Sequence, residues 1–388
     1  MVLTQRCWRN PLCPSFAKTG NLKALLGKAC PESIEGGTAY NARGFCNAGV
    51  KKETFVGSIR LTSLVVLLFP FFTLSFSFAS GPCQSDGRYV MGTVLEISLC
   101  DQQNTRSQFE DLFVRVAALE TQLTTFSPDS AVSRLNAHAG QGPMSVPPAV
   151  YEILALSLYY WQQTHETFDV TVGPVVTMWR QAMAHNEFPT VEARRQARTR
   201  VGGRFISLSP NGEVALQREG MRLDLGGIGK GYAIDQLKII LQQRQRSNAL
   251  LDFGQSSIWA LGSPPDAPGW RILVQRPDGT PAGVITLRDQ ALSISGTMGQ
   301  PFIINGQHYG HIIDPRSGKP IQRNLQACIL APTAAQAEAF SKALLVLGEK
   351  QGIALLQHVK GVEGLLLDTD GHQWMTKGWQ AATKFAPL

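Results

Sequence analysis

Residues 223–235 read LDLGGIGKGYAID, a run with four glycines, one lysine and an aspartate near each end. It is expected to lie where a strand gives way to a helix. Glycines let backbone approach a neighbour or a ligand closely, amide groups at a helix start favour anions, and Lys230 adds a point charge. A phosphate-bearing ligand suits such a turn, although a tight strand-to-helix connection alone needs the same residues. The run is neither a P-loop, since the GxxxxGK[ST] spacing is absent, nor a GxGxxG dinucleotide pattern.

Around this run the periodicities are mixed. At 89–99, YVMGTVLEISL alternates with apolar positions at 91, 95, 97 and 99, which predicts a strand. Phe109, Leu112, Phe113, Val116, Leu119 and Leu123 recur at spacings of three and four, which predicts an amphipathic helix over 107–123. Further helices are expected over 149–165, 230–246 and 334–347, with short strands at 250–253, 271–275, 284–287 and 302–305. No internal repeat or low-complexity tract interrupts them. The body therefore reads as one α+β domain.

The formal net charge of +7 is not spread over that body. Nine of the 36 Lys+Arg and three of the 29 Asp+Glu lie in residues 1–80, which leaves 27 against 26. A nearly neutral body gives no reason to expect nucleic acid as a partner. Within the basic part, residues 61–79 form an uncharged run, LTSLVVLLFPFFTLSFSFA, preceded by Lys51, Lys52 and Arg60 and closed by the small residues Ser77, Ala79 and Ser80. That is the layout of a secretory signal cut after Ala79. The alternative is an uncleaved anchor giving membrane association, because nineteen residues at about 1.5 Å each nearly span a hydrocarbon core. Either way the body is delivered out of the cytoplasm, to the periplasm.

The expected division is a leader over 1–79, with an aperiodic start region 1–55 and the signal at about 56–79, followed by one domain over 80–388. The true start is expected inside that first region. Four of the seven cysteines fall in the leader. The body keeps Cys83, Cys100 and Cys328 without a Cys-x-x-Cys spacing, so neither zinc nor a disulfide-built fold is supported. Cys83 and Cys100 either pair or stay apart.

Three more segments bear chemistry. YGHIIDPRSGKP at 309–320 sets His311 and Asp314 around an apolar pair, and on a strand the two would face opposite sides. His311 is a candidate for catalysis or an ordinary hydrogen-bonded histidine, while Asp314 suits an Asx turn into Pro315. FSPDSAVSRLN at 126–136 reads as a polar loop with Asp129 or Ser130 capping a short helix. FDVTVGP at 168–174 would place Asp169 and Thr171 on one strand face before a Gly-Pro turn.

Together, in this order, these segments resemble the ApbE family of FAD:protein FMN transferases. The likeness covers about 91–348: MGT at 91–93, TTFSPDSAVSRLN, FDVTVGP, LDLGGIGKGYAID, Ser295-Gly296, HIIDPRSGKP and AEAFSKALLVLG at 337–348. The resemblance implies an α+β domain with a mainly antiparallel sheet and packed helices. It implies an extracytoplasmic enzyme that, with a divalent metal such as Mg2+, moves FMN from FAD to a threonine or serine hydroxyl of an acceptor protein and releases AMP. Flavin and adenine contacts would fall on Met91, Phe126, Thr167, Phe168, Asp169, Asp224, Lys230 and Ile312. The metal would sit on the Gly227 carbonyl and the helix carboxylate Glu338, and His311 would accept or orient the proton of the attacking hydroxyl.

The chain departs from the family pattern where metal is bound. A-D-A-x-x-T reads Ala337-Glu338-Ala339-Phe340-Ser341-Lys342, the first histidine of a pair is Gly310, and Gly-Gly-Asn/Asp is Gly254-Gln255-Ser256. Glu338 and Lys342 share a helix face, and an ammonium has donors but no acceptor. Lys342 therefore either pairs with Glu338 in place of the metal or serves catalysis as a phosphate clamp. Two readings follow: an active FMN transferase, or a non-catalytic FAD carrier or scaffold of the same fold with a degenerate metal site.

Overall fold

The computed structural model describes residues 83–100 and 106–388, so the expected leader and its cysteines lie outside the described residues. Eight antiparallel strands form the main sheet in the order in which the chain meets them: Gln84–Val90, Thr93–Leu99, Ala249–Phe253, Ser257–Leu261, Gln290–Gly296, Leu325–Ala331, Glu363–Asp368 and Gln373–Met375. Among the described residues eight helices accompany them: α1 (Arg106–Leu123), α2 (Ala131–Ala137), α3 (Pro148–Gln163), α4 (Gly173–His185), α5 (Val191–Thr199), α6 (Gly229–Gln243), α7 (Ala334–Leu356) and α8 (Trp379–Thr383).

Both faces of the sheet are covered. One carries the larger core, in which Leu95, Ile97, Phe253 and Ile329 meet apolar residues of α1, α3, α6 and α7. On the other, Ile258, Leu292, Cys328 and Leu365 pack against Trp270 and Ile285 from a small sheet of Trp270–Gln275, Pro281–Leu287 and Ala386–Pro387, with Trp379 of α8 and Phe385 just before the last of these strands. Leu325–Ala331 feeds both cores through alternate residues, so six of its seven positions are buried. Burial on two sides removes the polar alternation by which a strand is usually read, and this one carries no such signal in the sequence. The same holds for EGLLLD at Glu363–Asp368.

Other differences are local. The strand expected over 89–99 is a hairpin, broken at Met91 (φ 50°) and Gly92 (φ 81°), two consecutive positive φ values that turn the chain within two residues. Its register pairs Gln84 with Leu99, and the next residues outward, Cys83 and Cys100, are joined as a disulfide. Asp169 and Thr171 lie on a turn instead of a strand, and Gly173-Pro174 opens α4, where a proline in the first turn costs no hydrogen bond. His311 precedes a strand of only two residues, Ile313–Asp314. α7 continues beyond 347, passing Gly348, whose φ of 72° and ψ of −170° are non-helical.

Within LDLGGIGKGYAID the last glycine and the last aspartate serve packing. A Cβ on Gly231 would stand 2.5 Å from the Ala334 carbonyl oxygen, so only glycine lets α6 cross the start of α7 at this distance. One turn on, the Asp235 carboxylate accepts the amides of Ala334 (2.8 Å) and Ala335 (2.9 Å), capping α7 from another helix. Replacing Gly231 by alanine should force the two helices apart, costing about 3 kcal/mol and lowering the melting temperature by roughly 5 °C or more. A melting curve superimposable on the parent's would show that the crossing has slack.

Candidate active site

Three of the motifs are bonded to one another. Asn136, at the end of TTFSPDSAVSRLN, accepts from the Leu223 amide (2.7 Å) and donates to the Leu223 carbonyl (3.3 Å), while the Asp224 amide donates to the Val170 carbonyl at 2.7 Å. These bonds seat the glycine run beside FDVTVGP. Asp224 then folds the run back on itself, its Oδ1 accepting the Gly226 amide at 2.9 Å. A Cβ at Gly227 would lie 3.4 Å from the Phe168 ring and 3.8 Å from Cε of Lys342, so the aromatic ring and the lysine stem flank the glycine turn.

The turn forms one wall of a cleft of about 930 Å³. Of the sequence-derived site residues, Thr167, Phe168, Asp169, Asp224, Gly227, Lys230, His311, Ile312 and Lys342 line it. Met91, Phe126 and Glu338 are not among its walls. Met91 sits in the hairpin turn, where a Cβ on Gly229 would be 3.5 Å from its terminal methyl, at the start of α6. Phe126 is 88% exposed, which frees its ring from any duty in the core. Ser130 beside it caps α2, accepting the Ser133 amide at 2.9 Å.

The carboxylate of Asp169 ties its own loop to the segment after α5, with Oδ1 accepting from the amide (2.8 Å) and hydroxyl (2.6 Å) of Thr171 and Oδ2 from the Gly203 amide (3.1 Å). Burial pushes its carboxyl up from the ordinary value, against those hydrogen bonds. Its bonds shape the floor on which Phe168 stands. Arg180 of α4 and Ser256 also line the cleft. Arg180 escaped the sequence reading because Gly-Pro was taken for a turn, whereas the 3–4 spacing of Val172, Val175, Val176 and Trp179 was the available sign of a helix. Ser256 accepts from the Lys230 ammonium at 2.6 Å and fixes it toward the cleft.

A divalent cation on Gly227 and Glu338 does not fit these residues. Glu338 is fully buried outside the cleft wall, with Oε1 accepting from the Ser257 hydroxyl and Oε2 without a hydrogen-bond partner. Lys342, one turn further along α7, has neither a hydrogen bond nor an ion pair among the described residues, so the Glu338–Lys342 pairing raised by the sequence does not form. Mg2+ asks for oxygen ligands in an octahedron, and an ammonium beside the glycine turn supplies none and repels a second cation. A group of three potential metal ligands among the described residues, Asp368, Asp370 and His372, lies outside the cleft. There Asp368 already accepts from both neighbouring amides and from His372.

Burial lowers the Lys342 ammonium to about 8, with Glu338 acting in the opposite direction and Lys230 adding to the fall. His311 is pushed below its ordinary value by burial first, and by the charges of Lys342 and Lys230. Its Nδ1 accepts the Gln300 amide at 3.4 Å, so in the neutral ring the proton belongs on Nε2. A histidine whose folded pKa is depressed adds stability above the unfolded value near 6.5, and that stability is lost as pH falls through the folded midpoint. An NMR titration should place the His311 midpoint below 6.5 and move it upward in Lys342→Met. An unmoved midpoint would separate the two residues electrostatically.

The likeness to known proteins spans most of the chain. The ApbE family model matches residues 91–366. Curated relatives named FAD:protein FMN transferase include those of Treponema pallidum, 29% identical over 307 residues (74% of this chain and 84% of the relative), and Haemophilus influenzae, 28% identical over 323 residues (78% and 93%). Among solved structures, the flavin transferase ApbE from Vibrio cholerae superposes with a TM-score of 0.68 at 24% identity, covering 77% of this chain and 99% of that one. The ApbE protein of Thermotoga maritima gives 0.70 at 24% identity, covering 77% and 98%. These two share the fold. The family match, which takes in every motif that borders the cleft, assigns this chain to the ApbE family.

Proposed function

We propose that this chain is an FAD:protein FMN transferase. One observation carries the reading: the cleft that holds the glycine turn is lined by cations from three helices, Lys230, Arg180 and Lys342, and by a neutral histidine. Such a cleft selects a ligand with adjacent phosphates, as FAD has, and Phe168 and Ile312 offer apolar surface for a ring. Phe126, exposed outside the cleft walls, is free to stack on the ligand's other end.

The reaction is displacement at phosphorus. A serine or threonine oxygen of the acceptor protein bonds to the phosphorus of the FMN half, the bond from that phosphorus to the bridging oxygen breaks, and its electron pair leaves with AMP. The hydroxyl proton passes to Nδ1 of His311, whose contact with Gln300 is long enough to yield. Lys230 holds the pyrophosphate in line, so that its attraction grows with the charge on the leaving group. With the purified protein, FAD and a threonine-bearing acceptor domain, mass spectrometry should find one FMN added to the acceptor. His311→Asn should lower kcat by about 10²–10⁴-fold with FAD binding retained. An acceptor of unchanged mass despite bound FAD would favour the carrier reading.

The proposal places this reaction outside the cytoplasm, with residues 1–79 as a leader. The Cys83–Cys100 bond supports that placement, because such bonds persist in oxidising compartments. The exported protein should begin at Ser80 by intact mass. A mature chain that keeps residues 61–79 would make that segment an anchor.

A further inference from the structure

Resting on the transferase reading, we propose that the side chain of Lys342 occupies the place of a divalent cation, binds the pyrophosphate of FAD directly, and makes FMN transfer by this chain independent of added metal. Three observations combine. The lysine stem lies against the glycine turn, so its ammonium is delivered from α7 to the point where the turn meets the cleft. It has no hydrogen-bonded or ion-paired anion among the described residues. Lys230, close enough to disfavour its charge, stands on the same cleft and is tied to a neutral hydroxyl.

Two ammonium groups that face one cleft, neither of them ion-paired among the described residues, repel, and a ligand carrying two adjacent phosphates relieves that repulsion. A divalent cation adds to it. The buried Glu338 carboxylate, bonded to Ser257, acts on Lys342 over a distance and favours its charged form. In the transfer step, the oxygen that leaves with AMP gains an electron pair, and the Lys342 and Lys230 ammonium groups are the charges set to receive it. No oxidant, reductant or further reactant enters.

The test compares full-length protein in EDTA and in excess Mg2+, reading FAD affinity by calorimetry and FMN transfer by acceptor mass. Affinity and transfer rate should agree within about twofold between the two conditions. Lys342→Gln, with an unchanged melting temperature, should weaken FAD binding in EDTA about tenfold or more. Loss of binding or transfer in EDTA with recovery in Mg2+ would overturn the proposal, as would a folded Lys342→Gln protein that binds FAD as tightly as the parent. Should that variant fail to fold, the comparison on the unaltered protein decides alone. Metal-indifferent, Lys342-dependent FAD binding without FMN transfer in either condition would reject the transferase reading and the transfer arm while leaving the clamp established.

Discussion

The crossing of α6 on the start of α7 is the contact on which the site depends. Gly231 permits the approach, and Asp235 converts it into two hydrogen bonds to the amides of Ala334 and Ala335. Lys230 leaves α6 next to Gly231, and Glu338 and Lys342 lie on α7 within the first turns after those amides. The points from which the two lysine side chains leave the backbone are thus set by the helix crossing. Burial raises the Asp235 carboxyl to about 6, against the two amide bonds, so this cap carries its charge at neutral pH at some cost to the fold.

Electrostatics then divide the cleft from the core behind it. The charge of Asp169 is engaged by Thr171 and the Gly203 amide, and that of Glu338 is turned toward Ser257. The cleft also carries Lys230, Arg180 and Lys342 beside the single carboxylate of the glycine turn, Asp224, with His311 held neutral among them. That division suits a ligand bringing its own negative charges, and it explains why an acid at position 338 does not recreate a metal site when position 342 is lysine.

Much of this was legible in the sequence where local pattern and tertiary burial agree. The six apolar positions of α1 that recur at spacings of three and four are the six it buries, and a one-sided helix announces itself at that spacing. The resemblance to the family brought the cleft residues together on paper, and several of its motifs are turns whose glycine, proline or aspartate has a local conformational duty, while the one that carries Lys342 is helical. Signals failed where both faces of an element are buried, as at Leu325–Ala331, and where a Gly-Pro pair opens a helix, as at α4, which concealed Arg180.

By itself the sequence determined the mixed α+β class and the position of the glycine turn, since each follows from residue type and spacing, while the ammonium of Lys342 in place of an oxygen donor was legible only through the resemblance to the family. Only the tertiary structure decided which glycine borders the cleft and which serves packing, whether Cys83 reaches Cys100, and whether Glu338 pairs with Lys342. Those outcomes depend on distances between segments far apart in the chain. Residue spacing carries no information about them, because they are set by strand register and helix crossing.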